Sequence, residues 1–296
     1  MHLVTFVESN QSRIGVLDTQ RDQVIDLTKA APDLPRNMID FIARGDAALA
    51  EAKSALNNKQ HRLPLAQVQL LAPIPRPLRN IICIGKNYRD HVQELQSSGS
   101  ACDDKTDELP AKPIVFTKAT TSVIGPGESI PVWLDATQSA DYEGELAVII
   151  GKTGRGISQD RAFEYVYGYT IINDVTSRRL QREHGQWFVG KSLDGFCPMG
   201  PAIVTADEIA DVTQLRVKTW INDELRQDDC VASLIFDIPT LIETLSRTMT
   251  LEPGDIIATG TPAGVGMGYN PPRFLKKGDQ VKIMIDTIGT LENPVL

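Results

Sequence analysis

No stretch of this 296-residue chain approaches the roughly 20 consecutive apolar residues that span a bilayer as a helix. No basic run exceeds Lys276-Lys277 or Arg178-Arg179, and 38 acids against 30 bases leave a net charge of −8. Duplex nucleic acid and anionic membrane surfaces are therefore poor partners. Met1 to Arg13 lack a basic start followed by an apolar core, so no secretory leader is expected. The four cysteines, Cys83, Cys102, Cys197 and Cys230, form no close pairs. That argues against a cysteine zinc site and for a reducing compartment, and the protein is expected to be cytoplasmic. There is no G-x-S-x-G elbow, no H-E-x-x-H, no C-x-x-C and no G-x-G-x-x-G after a strand.

What is present is loop-rich and enzyme-like, with 18 Pro and 22 Gly in an otherwise ordinary globular composition. Short strands are expected at Leu3 to Val7, Ile14 to Leu17 and Gln23 to Leu27, separated by polar turns. From Asn37 to Leu56 the apolar period is helical, and Gly45 is placed to split it into two helices. The proline-rich Pro73-Ile74-Pro75-Arg76-Pro77 marks a domain boundary near residue 72. Beyond it, Ile81 to Ile84 reads as a buried strand, and Asn87 is expected to cap a short helix from Tyr88 to about Leu95. Gln96 to Lys112 is polar and acidic, long enough to be a lid. The remainder is β-rich, with apolar runs at 146–150, 166–172 and 281–285.

Asp141-Tyr142-Glu143-Gly144-Glu145 leads directly into an apolar strand. Carboxylates at alternate strand positions share a face, about 7 Å apart along the backbone, and can converge on one hard cation. A solvated acidic strand edge is the competing reading. Asp174 ends the next apolar strand; in a helix, Arg178 and Gln181 would share its stripe, although a cap with a surface ion pair fits the spacing as well. His91 and Glu94, at i and i+3, suit a carboxylate-oriented general base, or a plain surface pair. Gly185 to Ser192 matches the phosphate-loop pattern G-x-x-x-x-G-K-S, but no buried strand precedes it, no regular helix can follow, and its interior is Trp-Phe-Val. Lys191 remains a candidate site cation. Thr259 to Gly268 is a glycine-rich loop able to present amides to a carboxylate, or simply a tight turn.

In order and spacing, these segments resemble the fumarylacetoacetate hydrolase family. The resemblance rests on Ile82 to His91, Phe116-Thr117-Lys118, Asp141 to Leu146, Asn173 to Arg178, Gly190 to Pro201 and Thr259 to Gly266. It implies an α+β, β-rich fold: a mixed β-roll catalytic domain over 73–296 with a small N-terminal α/β domain over 1–72, in a homodimer. It further implies a divalent metal, Mg2+ first with Mn2+ or Ca2+ possible, held by Glu143, Glu145 and Asp174. His91 and Glu94 would be the catalytic pair, Lys191 the active-site lysine, and Lys118, Arg178, Gln181 and Thr261 substrate contacts. Where the family often has an acid after the arginine, this chain has Arg179.

The expected activity is metal-dependent chemistry on a small 2-oxo acid, with C–C hydrolysis of an acylpyruvate-like 2,4-dioxo acid placed first. Decarboxylation or tautomerisation of oxaloacetate, or isomerisation of a hydroxydienoate, stands second. A non-catalytic metal-binding protein is the reading from another class, and a P-loop nucleotidase is the most distant.

Overall fold

The structure, a computed structural model, describes residues 1–56, 60–97 and 109–296. It is a mixed α+β, strand-rich fold built on two main sheets. The main path of the 12-stranded sheet runs Arg62–Pro64, Gln23–Asp26, Gln11–Asp18, His2–Glu8, Cys197–Thr205, Val166–Asn173, Gly144–Ile150, Ile256–Ala258, Ile81–Gly85, Ile114–Lys118. Most pairings along it are antiparallel; Ile256–Ala258 and Ile81–Gly85 run parallel. The four-stranded antiparallel sheet has the order Glu224–Cys230, Arg216–Ile221, Gln280–Ile285, Gly289–Pro294.

The unbroken apolar run 146–150 has a simple cause. Leu146, Val148 and Ile150 enter a core shared with Val217, Ile283 and Ile285 of the small sheet. Ala147 and Ile149 enter a second core, under Phe41, Ile42, Ala48 and Ala52 of two helices. A strand covered on both faces needs apolar residues at every position. Those helices, Met38–Ala43 and Asp46–Ala55, break at Gly45 as the sequence suggested. The chain before residue 72 extends the large sheet without a break, since His2 and Leu3 pair with Val204 and Ile203.

One local expectation fails. The helix that carries His91 spans Arg89–Ser97, and Asn87 does not cap it. Asn87 is wholly buried; its amide donates to the carbonyls of Phe236 (3.0 Å) and Thr259 (2.8 Å) and accepts from Phe236 N–H (2.8 Å). It rivets the end of strand Ile81–Gly85 to two distant segments, a use that local spacing does not reveal. Asn87→Ala strands three backbone groups, the Thr259 carbonyl buried and the carbonyl and N–H of Phe236 partly buried, at a cost of up to about 1–3 kcal/mol each. We expect urea unfolding to show a loss of roughly 3 kcal/mol or more; a loss below about 1 kcal/mol would contradict this role.

Candidate metal centre and active-site cavity

Strand register assembles the acids. Val166–Asn173 pairs with Gly144–Ile150 so that Asn173 faces Gly144 and Ile172 faces Glu145. One step further, the Asp174 N–H donates to the Glu143 carbonyl (2.8 Å) and the Glu143 N–H to Asn173 Oδ1 (3.0 Å). Asp174 is thereby fixed beside Glu143. Carboxylate oxygens of Glu143, Glu145 and Asp174, all buried, lie within 4.8 Å of one another.

Three cations surround them. Lys191 Nζ donates to Glu143 Oε2 (2.8 Å) and Asp174 Oδ2 (2.7 Å). Arg178 reaches Asp141 Oδ2 (2.9 Å) and Glu143 Oε1 (2.6 Å). Lys118 donates to Asp174 Oδ1 (2.7 Å), to the Val175 carbonyl (3.0 Å) and to the Lys191 carbonyl. Buried acids in this group (Asp141, Glu143, Glu145, Asp174) thus outnumber buried cations (Lys118, Arg178, Lys191) by four to three. The imbalance falls on Glu145. Among the described residues it makes no ion pair, and its side chain accepts from the Gly260 N–H (2.9 Å). Burial and the neighbouring Asp174 and Glu143 push its carboxyl well above the usual range. Glu143 behaves oppositely: despite burial, Lys191, Arg178 and His91 hold its carboxyl down at about 2. Against its own burial, Asp174 and Glu143 raise the Lys191 ammonium, which stays charged.

A buried carboxylate lacking a counter-charge is costly, and a divalent cation beside three carboxylates removes that cost. The donor set is all oxygen, as hard divalent ions require. The residues therefore fit a divalent-metal site.

His91 and Glu94 face this cluster from the helix Arg89–Ser97. His91 Nδ1 lies 3.3 Å from Glu94 Oε2, and His91 is buried, so the pair is not a surface ornament. The glycine loop ties the parts together, but with the protein's own carboxylates. Its amides go to Glu145 (Gly260), Glu94 (Gly264, 2.9 Å) and Asp141 (Gly266, 2.7 Å; Met267, 3.0 Å). Gly260 has φ +109°, and a Cβ there would sit 2.8 Å from that of Asn87, so only glycine fits. At Gly268 an added methyl would overlap the Glu94 carboxylate.

His91, Glu143, Glu145, Arg178, Gln181, Lys191 and Thr261 all line one cavity, as does Lys86. Lys118 does not: expected at the substrate, it lies wholly buried behind the acids with its donors committed to Asp174 and two carbonyls. Thr261 reaches the cavity, but its hydroxyl donates to the Gly144 carbonyl (3.0 Å) and accepts from Gln227 (2.7 Å). Asp174 does not share a helical stripe with Arg178 and Gln181. The helix is Arg178–Glu183, and Asp174 precedes a short strand, Thr176–Ser177. Gly185 to Ser192 follows that helix and ends in one turn, Phe188–Lys191, so it has no phosphate-loop context. Of the expected lid, 98–108 lies outside the described residues. Sequence reasoning missed Asp141 as the anchor of Arg178 and the glycine loop. It also missed Phe116 and Trp187, which meet edge-on (5.1 Å) over the cavity, with Phe116 4.8 Å from Lys191 Nζ. Remote aromatic pairing leaves no trace in local pattern.

An acidic triad that fits a divalent ion lies beside a histidine–glutamate pair on a mixed two-sheet fold, a constellation suited to an enzyme site. Residues 80–296 match the family described as Fumarylacetoacetate (FAA) hydrolase C-terminal, and the chain belongs to this family. It is 48% identical to the oxaloacetate tautomerase YisK of Bacillus subtilis, over 97% of each chain. It resembles the fumarylacetoacetate hydrolase of Exiguobacterium antarcticum (TM-score 0.84, 44% identity, 100% of this chain and 99% of that one). It also resembles the maleylpyruvate hydrolase of Sphingobium sp. SYK-6, solved with manganese(II) and pyruvate (TM-score 0.80, 34% identity, 100% and 99%). No helix among the described residues is long and apolar enough to cross a membrane.

An ion bound only by the folded chain stabilises it by about 2.7 kcal/mol at a free concentration 100 times its Kd. We expect Mg2+ or Mn2+ to raise Tm by several degrees. Glu145→Gln should abolish most of that rise while leaving the ion-free Tm unchanged or higher, since it replaces a carboxyl whose ionisation burial, Asp174 and Glu143 all oppose. An equal rise in the variant would place the ion elsewhere.

Proposed function

We propose that this protein is a divalent-metal-dependent tautomerase of a small 2-oxo acid, oxaloacetate in the first place, with Mg2+ as the working ion and a homodimer as the working form. The observation that carries the reading is the placement of a proton-carrying pair, His91–Glu94, and a hard-ion site across one cavity. Interconverting keto and enol forms needs only those two elements. The 48% identity to an oxaloacetate tautomerase supports moving this activity ahead of hydrolysis.

Glu143, Glu145 and Asp174 would hold a divalent ion, which would supply Lewis acidity toward the 2-oxo acid, several kcal/mol in order of magnitude. Glu94 holds His91 through Nδ1, which leaves Nε2 for substrate. His91 takes a proton from C3; the C–H pair becomes the C2=C3 bond, the C=O π pair moves onto the oxo oxygen, and the proton held by His91 is passed to that oxygen, which leaves His91 neutral again. The reverse steps regenerate the ketone. Lys191, kept as an ammonium, adds positive charge beside that oxygen. Arg178 fixes Glu143, Asp141 fixes Arg178, and Lys118 fixes Asp174 from behind.

Hydrolysis of an acylpyruvate is the second reading, supported by the same dyad and by the likeness to a maleylpyruvate hydrolase. There His91 would deprotonate a water aimed at the distal carbonyl, and products rather than a tautomer would accumulate. Following enol absorbance and pyruvate release on oxaloacetate and on acetylpyruvate separates the two. Tautomerisation predicts loss of enol absorbance without stoichiometric C–C cleavage. Cleavage of acetylpyruvate with no effect on enol-oxaloacetate would reverse the order.

General-base catalysis contributes about 10²- to 10⁴-fold, and His91→Ala should lose that much of kcat while keeping its Tm response to the ion. Gly268 does not have positive φ, so Gly268→Ala is tolerated by the backbone and acts by displacing Glu94. It should lower kcat about tenfold in the parent yet change little in a Glu94→Gln background, because coupled residues are non-additive. Equal losses in both backgrounds would show that Gly268 does not act through Glu94.

A further inference from the structure

We propose that Lys86 makes the site selective for dicarboxylic 2-oxo acids, by pairing its ammonium with the second carboxylate of the substrate; this rests on the functional reading above. A 2-oxo acid would present one carboxylate and its oxo group to a divalent ion held by the acidic triad. A four-carbon diacid then has a second carboxylate left inside a cavity whose floor is already anionic. Burying it without a cation is unfavourable.

The cations of the cavity are unequal in what they can offer. Arg178 and Lys191 each hold two carboxylates of the protein itself. Lys118 is wholly buried and does not reach the cavity. Lys86 lines it, is half-buried, and makes no ion pair with any described residue. Among the described residues its charge has no partner, and the second carboxylate of a substrate supplies one.

The backbone supports the same assignment. Lys86 has φ +54°, a left-handed conformation that glycine adopts freely and a lysine adopts at a cost. Neighbouring bonds impose it. Gly85 ends the buried strand Ile81–Gly85, and Asn87 is clamped by Phe236 and Thr259. A turn that needs only left-handed geometry is best served by glycine or asparagine. Lysine there retains a charge on a rigid corner at the mouth of the site, between the strand and the helix that carries His91. Strain kept at a functional position is the pattern expected when the side chain is used.

Two matched pairs test this. L-malate and L-lactate do not tautomerise and differ by one carboxylate at the end away from the 2-hydroxy acid. Their binding is measured by calorimetry in the presence of Mg2+. Oxaloacetate and acetylpyruvate form the kinetic pair. A buried charge-assisted contact predicts that Lys86→Met weakens malate and raises KM for oxaloacetate by about tenfold or more. Lactate binding and acetylpyruvate KM should shift by less than about twofold in the same variant. Lys86→Arg should restore most of the loss. Lys86→Gly relieves the left-handed backbone, so it should match or exceed the parent in Tm while losing the malate preference, which guards against a folding artefact. Equal losses for both members of each pair, or none, would overturn the assignment. If the parent tautomerises neither oxo acid, the functional reading falls, and the malate–lactate comparison still decides the role of Lys86.

Discussion

Glu145 is 1% exposed, and the cations nearest to it are already spent on its neighbours. Glu143 takes charge from Arg178 and Lys191; Asp174 takes it from Lys118 and Lys191. What remains is a carboxylate held in place by one backbone amide and repelled by two others. Folding alone gains nothing from such a group, since an apolar residue in that position would be cheaper. A divalent cation makes the arrangement favourable, and the geometry around Glu145 is best understood as built for one.

The sheet supplies this geometry at little local cost. Antiparallel pairing of Val166–Asn173 with Gly144–Ile150 sets Asp174 against Glu143, and pairing of Ile256–Ala258 on the other side brings Gly260 to Glu145. The loop that begins at Gly260 then reaches Glu94 and Asp141 through further amides. One short segment thus holds a metal-site acid, the partner of His91 and the anchor of Arg178. Position errors at one of these groups are shared by the others, which ties the acidic triad to the His91–Glu94 pair through backbone hydrogen bonds.

Much of this was legible in the sequence. The E-x-E pair before an apolar run, the acid at the end of the next strand and the His91–Glu94 spacing all pointed to residues that the fold brings together. Spacing alone left each of them open between a site and a solvated surface, and the resemblance carried by the order of six segments named them together. Roles set by tertiary contact were not legible. Asn87 looks like a helix cap and is a long-range rivet. Lys118 looks like a substrate contact and is a buried counter-charge. Asp141 sits in the same acidic run as Glu143 and Glu145, yet binds the glycine loop and not the ion cluster. Phe116 and Trp187 meet only through the fold, and nothing in their neighbours announces it.

The account turns on a single ion among Glu143, Glu145 and Asp174, and anomalous diffraction from crystals grown with Mn2+ tests it most directly. It predicts one anomalous peak per chain, bonded to oxygens of all three carboxylates, with Glu145 among the ligands. A peak elsewhere, or crystals at saturating Mn2+ with no peak in this cluster, would contradict it.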